Sequence, residues 1–404
     1  MEFGKKVTQR AMELAAAGKD VNQIAALLCG DDPDGHNYGI GIMLAGNGKP
    51  MSKSAMLMAK TCDKLTASTA KYYNSAAFME SLKGKILAWQ GIPEKYWDSF
   101  VLALPSDSGT GAVVEGLRLI LMDQPGLHTG MTVEEMGWPA YQAMALTNRL
   151  GFEKIEVGGV VNKFDEVPVY QAGPHNSMGV VVDEDVWKVR ANMASEFSNP
   201  PLLDRAYSAF EFAQLATDNG LAAAMDTSYR TCLAPFIETE VACVIAIGGT
   251  KCFRTFDSRS CGFLLVYQPD EDKRFKWTKH LSALIRARGS AFEHPVTRAL
   301  VSAMVDHFNH FENLHMESLE RVAQAESAWK RHAAGTPLAK LFGSNYGGIF
   351  RTFPIIDDAA EKLYEQHIYP VIAGNIGRIN VTGIPDNEAL ATTHIAALAE
   401  VCDL

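Results

Sequence analysis

Short apolar, β-branched runs alternate with amphipathic stretches through the middle of the chain. Phe152–Val157, Val180–Val182, Val241–Ile247 and Gly262–Tyr267 have the length and branching of strands. Leu82–Gln90, Ala112–Met122, Glu184–Ser195 and Asp204–Ala216 carry helical spacing instead. This alternation predicts an α/β domain with a mainly parallel sheet flanked by helices. The texture changes near Pro295. Val296–Asn309 and Asn313–Ala334 predict long amphipathic helices, the second with Leu314, Leu319, Val322 and Trp329 near one stripe. Asp357–Tyr369 predicts another helix and Gly377–Thr382 a short strand. At the other end the first twenty residues predict a short amphipathic helix. Residues 21–50, rich in Gly, Asp and Asn, predict extended or loop-like chain leading into a helix near 51–64. The chain thus reads as an N-terminal segment (1–50), a large α/β domain (51–295) and a smaller α+β domain (296–404).

At 404 residues a large core needs no metal or disulfide staple. Lys and Arg number 37 against 47 Asp and Glu, a net charge of −10. That balance argues against general nucleic-acid binding, which rests on phosphate neutralisation, and against a polybasic membrane anchor. No apolar stretch approaches the 20 or so residues of a membrane span. The seven cysteines are odd in number and form no CxxC pair. With no signal-peptide pattern at the start, they read as reduced thiols in a cytoplasmic protein. The histidines have no zinc spacing, so no metal site is expected, and neither a P-loop nor a GxSxG elbow occurs.

Three segments interrupt the regular patterns with polar residues. Ser106–Val113 is a small polar loop opening a helix, whose free N–H groups suit a phosphate; the same residues also serve as an ordinary N-cap. Ile247-Gly-Gly-Thr-Lys251 delivers a lysine behind a strand, either for covalent use or as an exposed loop residue. Gly377-Arg-Ile-Asn-Val381 opens an apolar strand with an arginine, fit for a carboxylate or for a structural ion pair.

Taken in order, these segments resemble the fold-type I, pyridoxal-phosphate-dependent aspartate and aromatic aminotransferases, over nearly the whole chain. Asn37-Tyr-Gly-Ile-Gly41 is similar to the glycine segment whose backbone borders the substrate, and Lys71-Tyr72-Tyr73 to the segment that sends one tyrosine to the partner subunit's phosphate. Ser108, Gly109 and Thr110 match the phosphate turn, and Trp138 the aromatic residue that stacks on the pyridine ring. His175-Asn176-Ser-Met-Gly resembles the HNPTG signature, and Asp204–Tyr207 the D-x-x-Y pair. Lys251 matches the Schiff-base lysine, with Thr250 beside it, and Arg259 the phosphate arginine. Arg378 matches the arginine that binds the substrate α-carboxylate.

The resemblance implies a large pyridoxal-phosphate domain with a mixed, mainly parallel sheet, plus a smaller α+β domain built from both chain ends. It implies a homodimer with shared active sites, and transfer of an α-amino group from an acidic or aromatic amino acid to a 2-oxoacid such as 2-oxoglutarate. Asp204 would then hold the pyridine nitrogen, Asn176 and Tyr207 the phenolate oxygen, and Lys251 would carry the 1,3-proton shift. Gly41, Trp138, Asn176, Arg378 and Arg288 would meet the substrate, with Arg286 as the alternative to Arg288 for a distal carboxylate. Four departures stand out: Gly248 and Thr250 in place of serines, the missing proline of the signature, Tyr141 where aspartate-specific members carry histidine, and a lengthened stretch at Ala222–Glu240. A lyase of the same fold, and less favourably a non-catalytic relative, are the rival readings.

Overall fold

The computed structural model describes residues 2–51, 76–104, 107–255, 261–289 and 295–404. The helix expected at 51–64 therefore lies outside the described residues. In chain order the strands are β1 (His36–Asn37), β2 (Phe100–Ala103), β3 (Gly130–Glu134), β4 (Gly151–Ile155), β5 (Glu166–Gln171), β6 (Leu202–Arg205), β7 (Cys243–Gly248), β8 (Gly262–Tyr267), β9 (Phe350–Pro354), β10 (Ile368–Tyr369), β11 (Val371–Ala373) and β12 (Ile376–Asn380).

Two compact units divide the chain. The larger holds Lys53–His175 and Val182–Ser318, the smaller Met1–Ser52, Asn176–Val181 and Leu319–Leu404. The return to the smaller unit falls at Ser318–Leu319, inside a helix, rather than at the texture change near Pro295. The two helices expected there are present within Pro295–His332, joined across a kink at His307 (φ −137°, ψ 41°), a few residues before the expected break.

In the larger unit seven strands form one sheet in the order β2-β8-β7-β6-β5-β3-β4. β8 runs antiparallel to both neighbours and the remaining pairs are parallel. This is the mixed, mainly parallel sheet anticipated. β7 and β8 are buried at every position, the continuous apolar pattern of strands covered on both faces. The helix Ser108–Asp123 lies so close to the sheet that a Cβ on Gly116 would come within 2.8 Å of Val244. The smaller unit has a three-stranded antiparallel sheet, β11-β12-β9, and a parallel pair, β1 with β10. Its core includes Trp329 stacked on Phe342, with the Trp329 indole donating to the Val381 carbonyl at 2.9 Å.

Several local expectations need correction. Residues 21–50 contain a helix, Val21–Asp31, started by a capping box between Asp20 and Gln23. Val180–Val182 is no strand; Val180 makes an isolated bridge to Tyr346. Asp204–Ala216 is not one helix. Its start belongs to β6, paired on both sides, and the helix begins only at Ala213. The helix at 357–369 is Ala359–Glu365; His367, at φ 59°, ends it, and β10 follows.

Three buried histidines give the fold an acid limit. In the larger unit His315 Nδ1 accepts from the Trp89 indole and Nε2 donates to the Ser208 carbonyl, both at 3.0 Å. An indole only donates and a carbonyl only accepts, so the ring is neutral with its proton on Nε2. Burial pushes its pKa down to about 3. In the smaller unit burial takes His394 to about 4 and also lowers His36, whose ring lies 4.9 Å away. Folded-state values below the unfolded 6.5 mean that the unfolded chain binds more protons in acid. Stability is therefore expected to fall from pH 6.5 down towards pH 4, by about 1.4 kcal/mol per pH unit for each of His315 and His394, with His36 contributing in the same direction. Urea titrations at pH 7 and pH 5 check this; equal midpoints would contradict it.

Candidate active site

Adjacent parallel strands in an α/β sheet bring their C-terminal ends to one edge, where ligands of such folds bind. β6 and β7 do this here, with Asp204 in register with Ala246. Asp204 lies near the end of β6. Past Gly248, β7 leads into a single helical turn, Gly249–Cys252, that carries Lys251. The Lys251 ammonium sits 5.2 Å from the centre of the Tyr207 ring. Tyr207 itself is buried, three residues after Asp204.

The Asp204 carboxylate is bound at both oxygens. The Tyr141 hydroxyl donates to Oδ2 at 2.6 Å and the Ala206 N–H to Oδ1 at 3.0 Å. Burial raises the Asp204 pKa above the ordinary carboxylate value, opposed by these two donors and by the charge of Lys251. Tyr141 is buried and packs edge-on against Trp138, with ring centres 5.5 Å apart. The residue noted as a departure thus anchors the carboxylate and also orients the neighbouring indole. The sequence placed Tyr141 near the ring position but gave no sign of its bond to Asp204.

The phosphate-type turn is built by close approach. Ser108, at φ 54°, opens the helix Ser108–Asp123, and the Asp107 side chain does not cap it. Ser108 Oγ donates to the Cys261 carbonyl at 2.6 Å and lies 2.9 Å from Thr250 Oγ1. Its single proton being spent on Cys261, Thr250 is the donor in the second bond. The two hydroxyls therefore serve protein acceptors, and the backbone N–H groups at Gly109 and Thr110 are the donors presented by the helix start. A Cβ on Gly262 would fall 2.3 Å from Ser108 backbone atoms, so only glycine allows this seating. Arg259, Tyr72 and Tyr73 lie outside the described residues.

In the smaller unit Arg378 comes from β12. Its guanidinium lies over the Phe350 ring at 4.4 Å and donates to Asn22 Oδ1 at 2.6 Å and to the Gly39 carbonyl at 3.0 Å. Asn380 donates to the carbonyls of Ile40 and Ile42 at 2.8 and 2.7 Å, and Asn37 Oδ1 accepts from the Gly39 and Ile40 N–H groups. These bonds fix the glycine segment against β12. Gly41 faces Phe350, at 3.4 Å from a Cβ built upon it. Asn176 belongs to this unit, in a turn whose next residue, Ser177, has φ 94° and accepts from Thr352.

Arg288 lies near the end of the helix Glu271–Gly289, where both Glu115 oxygens accept from its NH1, at 2.7 and 2.9 Å. Arg286 is exposed. Backbone strain accompanies the candidate residues. Ser108, Met136, Ser177, Ala209 and Arg254 all have positive φ, each at or within three positions of Ser108, Trp138, Asn176, Tyr207 or Lys251. Such strain persists where surrounding structure over-determines it, as at functional sites. Among the described residues no group of three or more His, Cys, Asp or Glu could hold a metal, and no helix is long and apolar enough to cross a membrane.

No family model and no curated protein matches the sequence. Solved structures do resemble it. An aromatic-amino-acid aminotransferase from Burkholderia pseudomallei, covalently bound to pyridoxal phosphate, superposes with TM-score 0.76 at 18% identity, covering 95% of this chain and 97% of the other. The broad-specificity aminotransferase from Leishmania mexicana gives 0.74 at 17% identity, with 95% of each chain covered. The cytoplasmic aspartate aminotransferase from Giardia lamblia gives 0.72 at 18%, covering 94% and 95%. The chain has the fold of the aromatic and aspartate aminotransferases along nearly its full length.

Proposed function

We propose that the protein is a pyridoxal 5′-phosphate-dependent aminotransferase that moves the α-amino group of an acidic or aromatic amino acid to a 2-oxoacid such as 2-oxoglutarate. The observation that carries this reading is the placement of Asp204 near the end of β6 and Lys251 in the turn just past the neighbouring β7, with Tyr207 beneath the ammonium. The residues fit the cofactor. A carboxylate that burial has made more basic gains a partner in a protonated ring nitrogen. A helix start without a side-chain cap from Asp107 suits a phosphate.

When bound, the cofactor supplies an electron sink for the substrate's α-carbon. The protein's part is to hold and to move protons. Asp204, steadied by Tyr141, would keep a proton on the ring nitrogen. Tyr207 and Asn176 would donate to the phenolate oxygen, and Trp138 would cover the ring. The backbone N–H groups at Gly109 and Thr110, with Arg259, would balance the phosphate, joined by Tyr72 or Tyr73 of the second subunit in a homodimer, while the Ser108 and Thr250 hydroxyls brace the turn. Lys251 Nζ takes a proton from one carbon and returns it to another. Arg378 holds the α-carboxylate, with Gly41 beside it. Arg288 remains the candidate for a distal carboxylate, which would have to displace it from Glu115. A cytoplasmic setting agrees with the six free cysteines among the described residues.

The test is a panel of amino acids with 2-oxoglutarate, assaying glutamate, ammonia and the new oxoacid. Glutamate formed from aspartate or an aromatic amino acid supports the proposal. Ammonia with pyruvate would indicate a lyase instead, and no product from any amino acid would favour a binding protein.

A further inference from the structure

Successive side chains of a strand point to opposite faces, so Arg205 turns away from the face on which Asp204 meets Tyr141. It is fully buried, and its donors reach four side chains or carbonyls. Nε bonds Gln90 Oε1 at 2.8 Å, NH1 the Ala172 carbonyl at 3.3 Å and Cys232 Sγ at 2.8 Å, and NH2 bonds Ser228 Oγ at 3.2 Å. The Ser228 hydroxyl in turn donates a hydrogen bond to Glu211 Oε1 at 2.6 Å, linking the guanidinium to a carboxylate. A buried guanidinium is costly unless it is so enclosed. Just beyond, Ser208 Oγ donates to the Arg205 carbonyl at 3.1 Å and approaches Gln90 Oε1 at 3.3 Å, while His315 holds the Ser208 carbonyl. Asp204–Ser208 is thus clamped from behind by groups from four separate parts of the larger unit.

We propose that Arg205 is a positioning residue for Asp204 and Tyr207, and that the helix Leu221–Cys232, which supplies Ser228 and Cys232, is the part of the fold that makes this buried arginine possible. The proposal gives a role to the lengthened stretch at Ala222–Glu240, whose first half lies in that helix. It rests on the reading of Asp204 and Tyr207 as cofactor-binding groups. A carboxylate and a phenol that must meet fixed atoms of one ring tolerate little backbone drift, and a shift near 1 Å can cost about 100-fold. Strand pairing alone fixes Asp204 but not the loop after Arg205, which carries Tyr207.

The experiment uses the full-length chain and pyridoxal 5′-phosphate, with two readouts: the dissociation constant and the pH midpoint of the bound cofactor's visible absorbance. Arg205→Met with Glu211→Gln removes both charges together and so avoids stranding either. This double variant is expected to bind the cofactor roughly tenfold more weakly or worse, and to shift the absorbance midpoint. Arg205→Lys should recover part of both. Ser228→Ala, a small change that keeps the chain folded if the double variant does not, should move both readouts in the same direction by less. Variants that lose thermal stability yet keep wild-type affinity and midpoint would overturn the proposal, because a purely structural role predicts that result. A wild-type chain that binds no cofactor would overturn the underlying reading instead, and the two failures are told apart by the wild-type titration.

Discussion

Replacing Lys251 by alanine is expected to lower the rate of amino transfer by about 10²–10⁴-fold or more, since a positioned proton carrier contributes that much. The ammonium lies in the turn just past β7, beside Tyr207 and within electrostatic reach of Asp204. Lys251→Arg separates the two roles of the group. Arginine keeps the positive charge but does not release a proton near neutral pH. If Lys251 acts by moving a proton, the arginine variant should be as slow as the alanine variant. If it acts only as a charge, arginine should restore most of the rate. Steady-state kinetics with the best amino donor decide between them. Neither variant should lose the fold, because the surrounding turn is held by the Gly249–Cys252 backbone and buried neighbours.

The second large effect is expected at Arg378. Truncation to alanine should weaken amino acid and 2-oxoacid alike, by about 3 kcal/mol or roughly 100-fold in KM, because it leaves a carboxylate without its charged partner. Both substrates share that carboxylate, so a loss confined to one of them would contradict the assignment. Lysine should not substitute well. The guanidinium lies over Phe350 and is steered by Asn22 and Gly39, and its planar fork of donors is not reproduced by a point charge.

What could be read from the sequence was what local chemistry imposes. The apolar run at Val241–Ile247, the glycines after it and the lysine behind them announce a buried strand with a functional turn. The order of Asn176, Asp204, Lys251 and Arg378 then pointed to a fold that the solved aminotransferase structures share. Pairings between distant positions were not legible. Tyr141 reaches Asp204 across 63 residues, Arg288 finds Glu115 across 173, and Arg205 meets Gln90 across 115. Each depends on strand order and helix placement, which a single sequence does not encode in any one segment. The error at Asp204–Ala216 has the same origin. The segment carries helical spacing, but pairing with β5 and β7 draws its first two residues into the sheet. Conversely, the capping box at Asp20 and Gln23 was a local signal, masked by the glycine- and aspartate-rich chain that follows it.

The central claim is that Lys251 is the residue to which the cofactor attaches. The most direct measurement is borohydride reduction of the full-length chain mixed with pyridoxal 5′-phosphate, followed by digestion and mass analysis of the peptides. The account predicts a stable pyridoxyl group on Lys251, absent from the Lys251→Ala variant. Labelling confined to another lysine, or a wild-type chain left unlabelled, would contradict it.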